Sequence, residues 1–481
     1  MPSGRIYGIG FFSCGRVLRA VRQRNGILKI VLDMFGGVRQ KFLRLLTILL
    51  IYMRPQRRQI KQLFSSGTVL EEWFSPMTKI LERCRFSDAP FKALPTAAFI
   101  LSGCLRQILA TSSLREYVQT LFHLDSNQTE TPVARSTWSD ALASAGRKNV
   151  LRPAVAQLVE LARITLPDLL AHVEGIGSRE VIATDATYQT ESAHYAPSYP
   201  NGGGDDNQKG HMMLSHFDVR HGIALSVTTE TRSLGEMRVL KREESNGLNW
   251  LRTKGAIHVV DRAFIDGRFW DKQFKLYGST VITRMKSVLK YSVIKENEVA
   301  INTSNEGVVY DRVVTLQSAK GTWRLIGFLS PDGYDYEYLT NDQDLLPGVV
   351  AFLYHRRWDK EKYYDCFKND LAGSKAWGKS PVAIEQQALL GIATSILTRL
   401  FLMRRQADLA LAQPDATQDK KHQKKQVNHT QSGKGILLRA MWQNLSKISR
   451  QVWRFLKNCF TCQHEPGLYK RQLEPLLRSY L

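Results

Sequence analysis

The chain has 481 residues, 43% of them hydrophobic, with 16 Pro and six Cys. That supply of apolar residues suffices for two or three domains with buried cores, and it excludes both a disordered chain and a disulfide-stapled one. Its 67 Lys and Arg against 44 Asp and Glu give a net charge of +23 and a pI near 9.8, which favours a polyanionic partner, nucleic acid before an anionic membrane surface.

Residues 1–61 carry thirteen Lys or Arg and one acid, Asp33, interleaved with Phe42, Leu45, Leu46, Leu49 and Leu50. A basic DNA-contacting arm, an amphipathic surface segment and sequence upstream of the true start all remain open for this stretch. The longest apolar run, Leu45 to Met53, is interrupted by Thr47 and falls well short of the roughly 20 residues a spanning helix needs. Met1 to Phe12 lacks the charged-then-apolar pattern of a secretory signal. From about Ala97 the pattern turns helical. Ser112 or Ser113 is expected to cap a helix over Leu114 to Phe122, and Ser136 or Thr137 another over Trp138 to Ala145, across a polar loop from Asp125 to Thr131. Residues 62–177 are read as a helical DNA-binding region, with plain bundle packing open as the alternative.

Between residues 178 and 285 the period changes. Val181 to Asp185 and Ala256 to Asp261 are apolar runs that end in Asp, and His211 to Val219 and Ile223 to Thr231 are strand-like runs joined by Arg220-His221-Gly222. Leu234 to Leu251 and Phe264 to Tyr277 are helical in spacing, Asp266 reads as a helix-start residue, and Thr280 to Arg284 is a further strand. Strand, hairpin, helix, strand, helix, strand and a late helix is the order of an α/β, RNase H-like domain with a mixed sheet. Side chains at strand carboxyl ends gather in one crevice, so Asp185 and Asp261 are expected to approach each other although far apart in sequence.

Residues 286–344 form a β-rich insertion with runs Val308 to Leu316, Trp323 to Leu329 and Tyr334 to Leu339, broken by Asn-Glu-Gly and Pro-Asp-Gly turns. Trp323 is either a stacking side chain for a displaced base or a core residue. Residues 345–403 are read as the second part of the catalytic core. Residues 404–481 hold a basic linker, Gln413 to Gly435, and a helical stretch, Ile436 to Phe460, flanking the core as the N-terminal helices do. Cys459 and Cys462 have no second ligand pair at zinc spacing, and the scattered cysteines suit a reducing cytoplasm.

Within 345–403, Tyr354, Arg357, Glu361 and Lys368 recur at offsets of three, seven and fourteen, which places them in a stripe about 60° wide on one α-helix. Such a face presents a carboxylate among cations, with His355, Arg356, Lys360 and Lys362 thickening the positive field. Asp185, Asp261 and Glu361 together would repel one another unless divalent cations neutralise them. All-oxygen ligation selects Mg²⁺, with Mn²⁺ as substitute, and a pair of such ions suits in-line phosphoryl displacement.

The spacing Tyr-x2-Arg-x3-Glu-x6-Lys, read with Asp185 and Asp261, resembles the DDE transposases of bacterial insertion sequences, IS-four type, over roughly residues 95–400. The resemblance implies two Mg²⁺ held by Asp185, Asp261 and Glu361, with Tyr354 and Arg357 orienting the transposon end and Lys368 steadying the strand beside Glu361. Arg262 and Trp323 are further candidate DNA contacts, and Asp261-Arg262 matches the family's Asp-Arg pattern in part. It also implies an insertion that holds DNA near the site and a C-terminal region that pairs protomers. A homodimer on double-stranded DNA follows, with terminal inverted repeats and target DNA as partners, a hairpin at the element end during excision, and no membrane or small-molecule cofactor. The expected place is a bacterial cytoplasm, at the nucleoid. Two other readings compete: a catalytically inactive DNA-binding relative or repressor of transposition, and a metal-dependent nuclease without strand transfer.

Overall fold

In a computed structural model of the chain, the described residues are 69–84, 94–111, 113–118, 133–191, 199–200, 209–247, 249–411 and 451–459, with positions 471 and 475. Residues 1–61, the polar loop 125–131 and the linker 413–435 lie outside them. Among the described residues, the helices α1 (Val69–Arg83), α2 (Thr96–Leu109), α3 (Arg135–Ala143) and α4 (Ala145–Thr165) precede the sheet. Residues 114–118 are helical, and Ser113 Oγ accepts the Glu116 N–H (3.1 Å), so Ser113 is the cap. The second expected cap is displaced: α3 already starts at Arg135, so Ser136 and Thr137 lie inside its first turn. The true side-chain cap is Ser144, which breaks the run at Ala143 and accepts the Arg147 N–H to start α4.

The strands are β1 (Val181–Thr190), β2 (Tyr199–Pro200), β3 (Lys209–Asp218), β4 (Ile223–Glu230), β5 (Ile257–Val260), β6 (Thr280–Arg284), β7 (Tyr291–Asn297), β8 (Val308–Leu316), β9 (Thr322–Leu329) and β10 (Asp335–Thr340). They form one sheet in the order β2-β3-β1-β5-β6-β10-β9-β8-β7, with β4 also on β3. Among the described strands, β1–β5 and β5–β6 pair parallel and the others antiparallel, so the sheet is mixed and mostly antiparallel. The two parallel pairings need crossovers, and helices supply them: α5 (Glu236–Ser245) leads into β5, and α6 (Gly267–Tyr277) joins β5 to β6. Asp266 Oδ1 accepts the Phe269 N–H (3.0 Å) to cap α6, and Gly278 at φ 65° ends it, a conformation that favours glycine and lets the chain turn straight into β6.

The β-rich insertion is part of this same sheet. β10 pairs antiparallel with β6, Tyr338 opposite Arg284, so β7 to β10 carry the sheet outward beyond β6. After it come α7 (Pro347–Arg356), α8 (Trp358–Asp365), a π-helical turn Cys366–Asp370 and the long α9 (Pro381–Leu411). Successive strand residues face opposite sides, and the contacts follow that alternation. Val281 and Leu339 pack with Val239 and Leu240 of α5 and Phe269 and Trp270 of α6, whereas Tyr338 meets Tyr354 of α7 with ring centroids 5.0 Å apart. The sheet therefore lies between two helical layers.

Helix α9 packs against β4, α4, α2 and α1. Among the described residues it alone is long and apolar enough to cross a membrane, and 83% of its most apolar window is buried, which makes it a core helix. Thr398 on α9 accepts from Trp73 Nε1 of α1 (3.3 Å) and from Trp453 Nε1 (3.0 Å). Residues 451–459 thus pack on α9, with Val452, Phe455, Leu456 and Cys459 buried. The rest of the expected C-terminal helix, and Cys462, lie outside the described residues.

Candidate active site

Strand register brings the two aspartates together. β1 and β5 pair in parallel from Val181↔Ile257 to Thr184↔Val260, so Asp185 and Asp261 are the next residue on each strand. Paired positions on parallel neighbours, about 4.8 Å apart, project from the same face. Asp185 does not end its strand, as the sequence suggested. β1 continues along β3, with Asp185 opposite Ser215, while β5 stops and Asp261 caps the 3-10 turn Arg262–Phe264. One oxygen of each carboxylate accepts the following amide: Asp185 Oδ1 from Ala186 (2.9 Å) and Asp261 Oδ1 from Arg262.

The third carboxylate arrives on α8. The expected single helix from Tyr354 to Lys368 is in three pieces, because α7 ends at Arg356, α8 starts at Trp358, and Lys368 lies in the π turn. Arg357, at the joint, keeps right-handed helical angles (φ −55°, ψ −30°), so the twist carries through from Tyr354 to Glu361. Its guanidinium links two of the three acids: Nη2 is 2.7 Å from Glu361 Oε1 and Nη1 is 3.5 Å from Asp185 Oδ2. Burial works against the Arg357 charge, but Tyr354, Asp185, Glu361 and Asp261 outweigh it and hold the group above its ordinary pKa. Burial, opposed by Arg357 and aided by Asp261, pushes the Tyr354 phenol up. Asp185, Asp261, Glu361, Tyr354 and Arg357 are therefore one electrostatic cluster.

The other predicted residues fare differently. Arg262 is exposed beside Asp261. Lys368 is half-buried with no hydrogen bond or ion pair among the described residues, and burial lowers its pKa. Trp323 is 1% exposed and its Nε1 donates to Asp271 (3.2 Å), so in this structure it is a core side chain with no face open for a base. The expected field of surplus cations is also corrected. Buried Arg356 lies 2.9 Å from Asp359 and Lys362 lies 3.7 Å from the same acid, so neither is a free surface cation, while His355 is exposed.

Lys360, the fourth, is fully enclosed, and sequence reasoning missed its role. Its ammonium donates to the Asp185 backbone carbonyl and to the Tyr364 hydroxyl (3.1 Å). Tyr364 in turn reaches the carbonyls of Asp185 (2.9 Å) and Met213 (3.0 Å) and accepts from Ser215 Oγ (2.9 Å). This node ties α8 to β1 and β3 directly beneath Asp185. Burial pushes the Lys360 ammonium down to about 7, against the pull of Asp185. The i,i+4 spacing of Lys360 and Tyr364, one position off the Glu361 face, was the available signal. Glu236 was missed as well. It opens α5, and burial, with Asp185 and Asp261 next in effect, pushes its carboxyl up to about 7 against Lys360 and Lys286. An acid in a first helical turn reads as dipole compensation, which hid it.

The donor set is carboxylate oxygen throughout, which suits Mg²⁺ or Mn²⁺ and not zinc. The Arg357 guanidinium stands where a cation neutralises Asp185 and Glu361. Among the described residues no three His, Cys, Asp or Glu side chains stand together as a ligand group. The donor chemistry suits a divalent cation, while in this structure Arg357 occupies the place between Asp185 and Glu361.

Residues 176–397 match the family model of the transposase DDE domain, a span that contains the aspartates, the insertion and Glu361. The match supports a DDE transposase. No curated protein matches the chain. Among solved structures, a piggyBac transposase synaptic complex with hairpin DNA, determined by cryo-EM, is similar over 74% of this chain and 82% of that chain, at 11% identity and a TM-score of 0.35.

Proposed function

We propose that this chain is an IS-four type transposase with an RNase H-like core, which cleaves DNA at element ends and joins the freed 3′-hydroxyl to target DNA. The observation that carries the reading is the convergence of Asp185 and Asp261, by register, with Glu361, through Arg357. The strand order β4-β3-β1-β5-β6 with helical crossovers supports the core assignment, and the transposase DDE domain match supports the activity. Asp185, Asp261 and Glu361 would hold two Mg²⁺, which supply activation of a water or 3′-hydroxyl and neutralisation of the leaving oxygen.

The chain's own residues do the rest. Arg357, relieved of one carboxylate, presents a planar fork to a phosphate, and Tyr354 beside it offers a phenol hydroxyl to the same strand. Lys368 and Arg262 add cationic contacts, and the net charge of +23 draws the duplex in. Lys360 and Tyr364 hold the Asp185 backbone in place while the strand is bound. Purified protein incubated with Mg²⁺ and a duplex carrying its flanking terminal repeats should nick at the element end and then join ends to a target duplex. Nicking without joining would favour the nuclease, and end binding without nicking the inactive relative.

A further inference from the structure

Trp358 is the one exposed tryptophan among the described residues. It is 52% exposed, whereas Trp73, Trp138, Trp270, Trp323 and Trp453 are buried and Trp250 and Trp377 partly so. It opens α8, directly after Arg357 at the joint with α7. Because Arg357 keeps right-handed helical angles, the turn of about 100° per residue runs through the joint. Trp358 therefore lies about 40° from Tyr354 and about 60° from Glu361, on the helix face that also carries Arg357.

The indole N–H has no hydrogen bond among the described residues. Its ring meets the Arg357 guanidinium, 5.9 Å from the centroid, and that guanidinium is the group placed 2.7 Å from Glu361 and 3.5 Å from Asp185. A single exposed apolar side chain needs no partner by itself. What sets Trp358 apart is a large open ring beside the cation of the carboxylate cluster. Tyr354, the other aromatic residue of this face, has no ring to offer, being 5% exposed and packed on Tyr338.

Charge and shape together point to the occupant. The chain carries a net charge of +23, and the Arg357 fork matches phosphate oxygens. A nucleotide joins its phosphate to a flat base through one sugar, so a phosphate on Arg357 leaves the attached base within reach of the indole. Inside a duplex that base is stacked and paired. An unpaired base has a free face, and stacking on an aromatic side chain holds it whatever its sequence.

We propose that Trp358 is a stacking platform for an unpaired nucleobase of the DNA strand whose phosphate Arg357 holds. The assignment rests on the functional reading above and adds to it the form of DNA taken, an end with a base outside the helix.

The test is DNA binding by the full chain in excess chelator, read by fluorescence anisotropy. Two labelled duplexes carry the flanking terminal repeat, one ending in a short unpaired thymidine tail and the other in the same tail without bases. The parent is expected to bind the thymidine-tailed duplex at least about fivefold more tightly, the lower end of what a base–aromatic stack contributes. Trp358→Leu keeps apolar bulk and should lose that preference, with the abasic affinity and the salt slope unchanged. Trp358→Phe should keep part of the preference, and Arg357→Ala should weaken both complexes and lower the slope. A parent that does not distinguish the tails, or a Trp358→Leu variant that distinguishes them as the parent does, would overturn the proposal. So would an equal loss on both duplexes with a lower melting temperature, which would make Trp358 a packing residue of the joint between α7 and α8. The same preference on an unrelated duplex, with no gain from the terminal repeat, would leave the platform standing and count against the functional reading.

Discussion

Tyr364→Phe probes the link between fold and site most cleanly, because it removes one oxygen and leaves the ring in place. That hydroxyl has one proton and two lone pairs. It accepts from Lys360 Nζ (3.1 Å) and Ser215 Oγ (2.9 Å) and donates to the carbonyl of Asp185 (2.9 Å) or Met213 (3.0 Å). In the variant Ser215, 1% exposed, has no acceptor for its proton, and the carbonyls lose a shared donor. A buried polar group left without a partner costs about 1–3 kcal/mol, and no apolar area is lost, so the expected destabilisation is about 2–4 kcal/mol. Urea denaturation followed by tryptophan fluorescence should show a lower midpoint with an unchanged slope. Adding Ser215→Ala should restore about 1 kcal/mol, since the orphaned hydroxyl is then absent. Cleavage should fall because the Asp185 carbonyl keeps only the Lys360 donor, while end binding stays within a few-fold. A wild-type midpoint for Tyr364→Phe would refute the node as a structural tie.

Three other outcomes are expected. Arg357→Ala and Lys368→Ala should weaken end binding and each reduce its salt slope by about one unit, read from binding titrations over a range of salt, and unchanged slopes would remove both from the DNA contacts. His258 is fully buried with neither ring nitrogen hydrogen bonded, and burial, helped by His216, pushes it down to about 3. The unfolded chain takes up a proton below about pH 6.5 and the folded chain does not, so stability falls as pH drops from 6.5 towards 3. The loss is about 2 kcal/mol at pH 5, and His258→Leu should flatten that acid limb in pH-dependent melting. Finally, a single end-labelled terminal-repeat duplex in Mg²⁺ should give a nicked strand first and a covalently closed hairpin later on denaturing gels, and linear breaks with no closed species would exclude the hairpin route.

The central strands were legible because burial imposes a pattern on them: β6 and β8 coincide with the apolar runs read from the sequence. β7 was not, because Tyr291–Asn297 is an exposed edge strand with no buried face to write an alternation. Asp185 and Asp261 were recognisable as acids after apolar runs, but that β1 continues past Asp185 is decided by its pairing with β3, a tertiary fact. The signature spacing put Tyr354, Arg357 and Glu361 on one face, and it gave no sign of the break between α7 and α8 or of the π turn at Lys368. Lys360 read as a surface cation because a lysine is rarely enclosed, and only its contacts with Asp185 and Tyr364 explain it. Trp323 read as a core residue before a stacking platform, and its burial and its Nε1 bond to Asp271 agree with core.

The most direct test of the account is end cleavage by the full chain in Mg²⁺, with Asp185→Asn, Asp261→Asn and Glu361→Gln beside the parent, on a duplex carrying the terminal repeat. The account predicts a nick at the element end and strand joining by the parent, neither product from any of the three variants, and end binding by all four proteins within a few-fold. Cleavage by any one variant at the parent's rate, or by the parent in excess chelator, would contradict it.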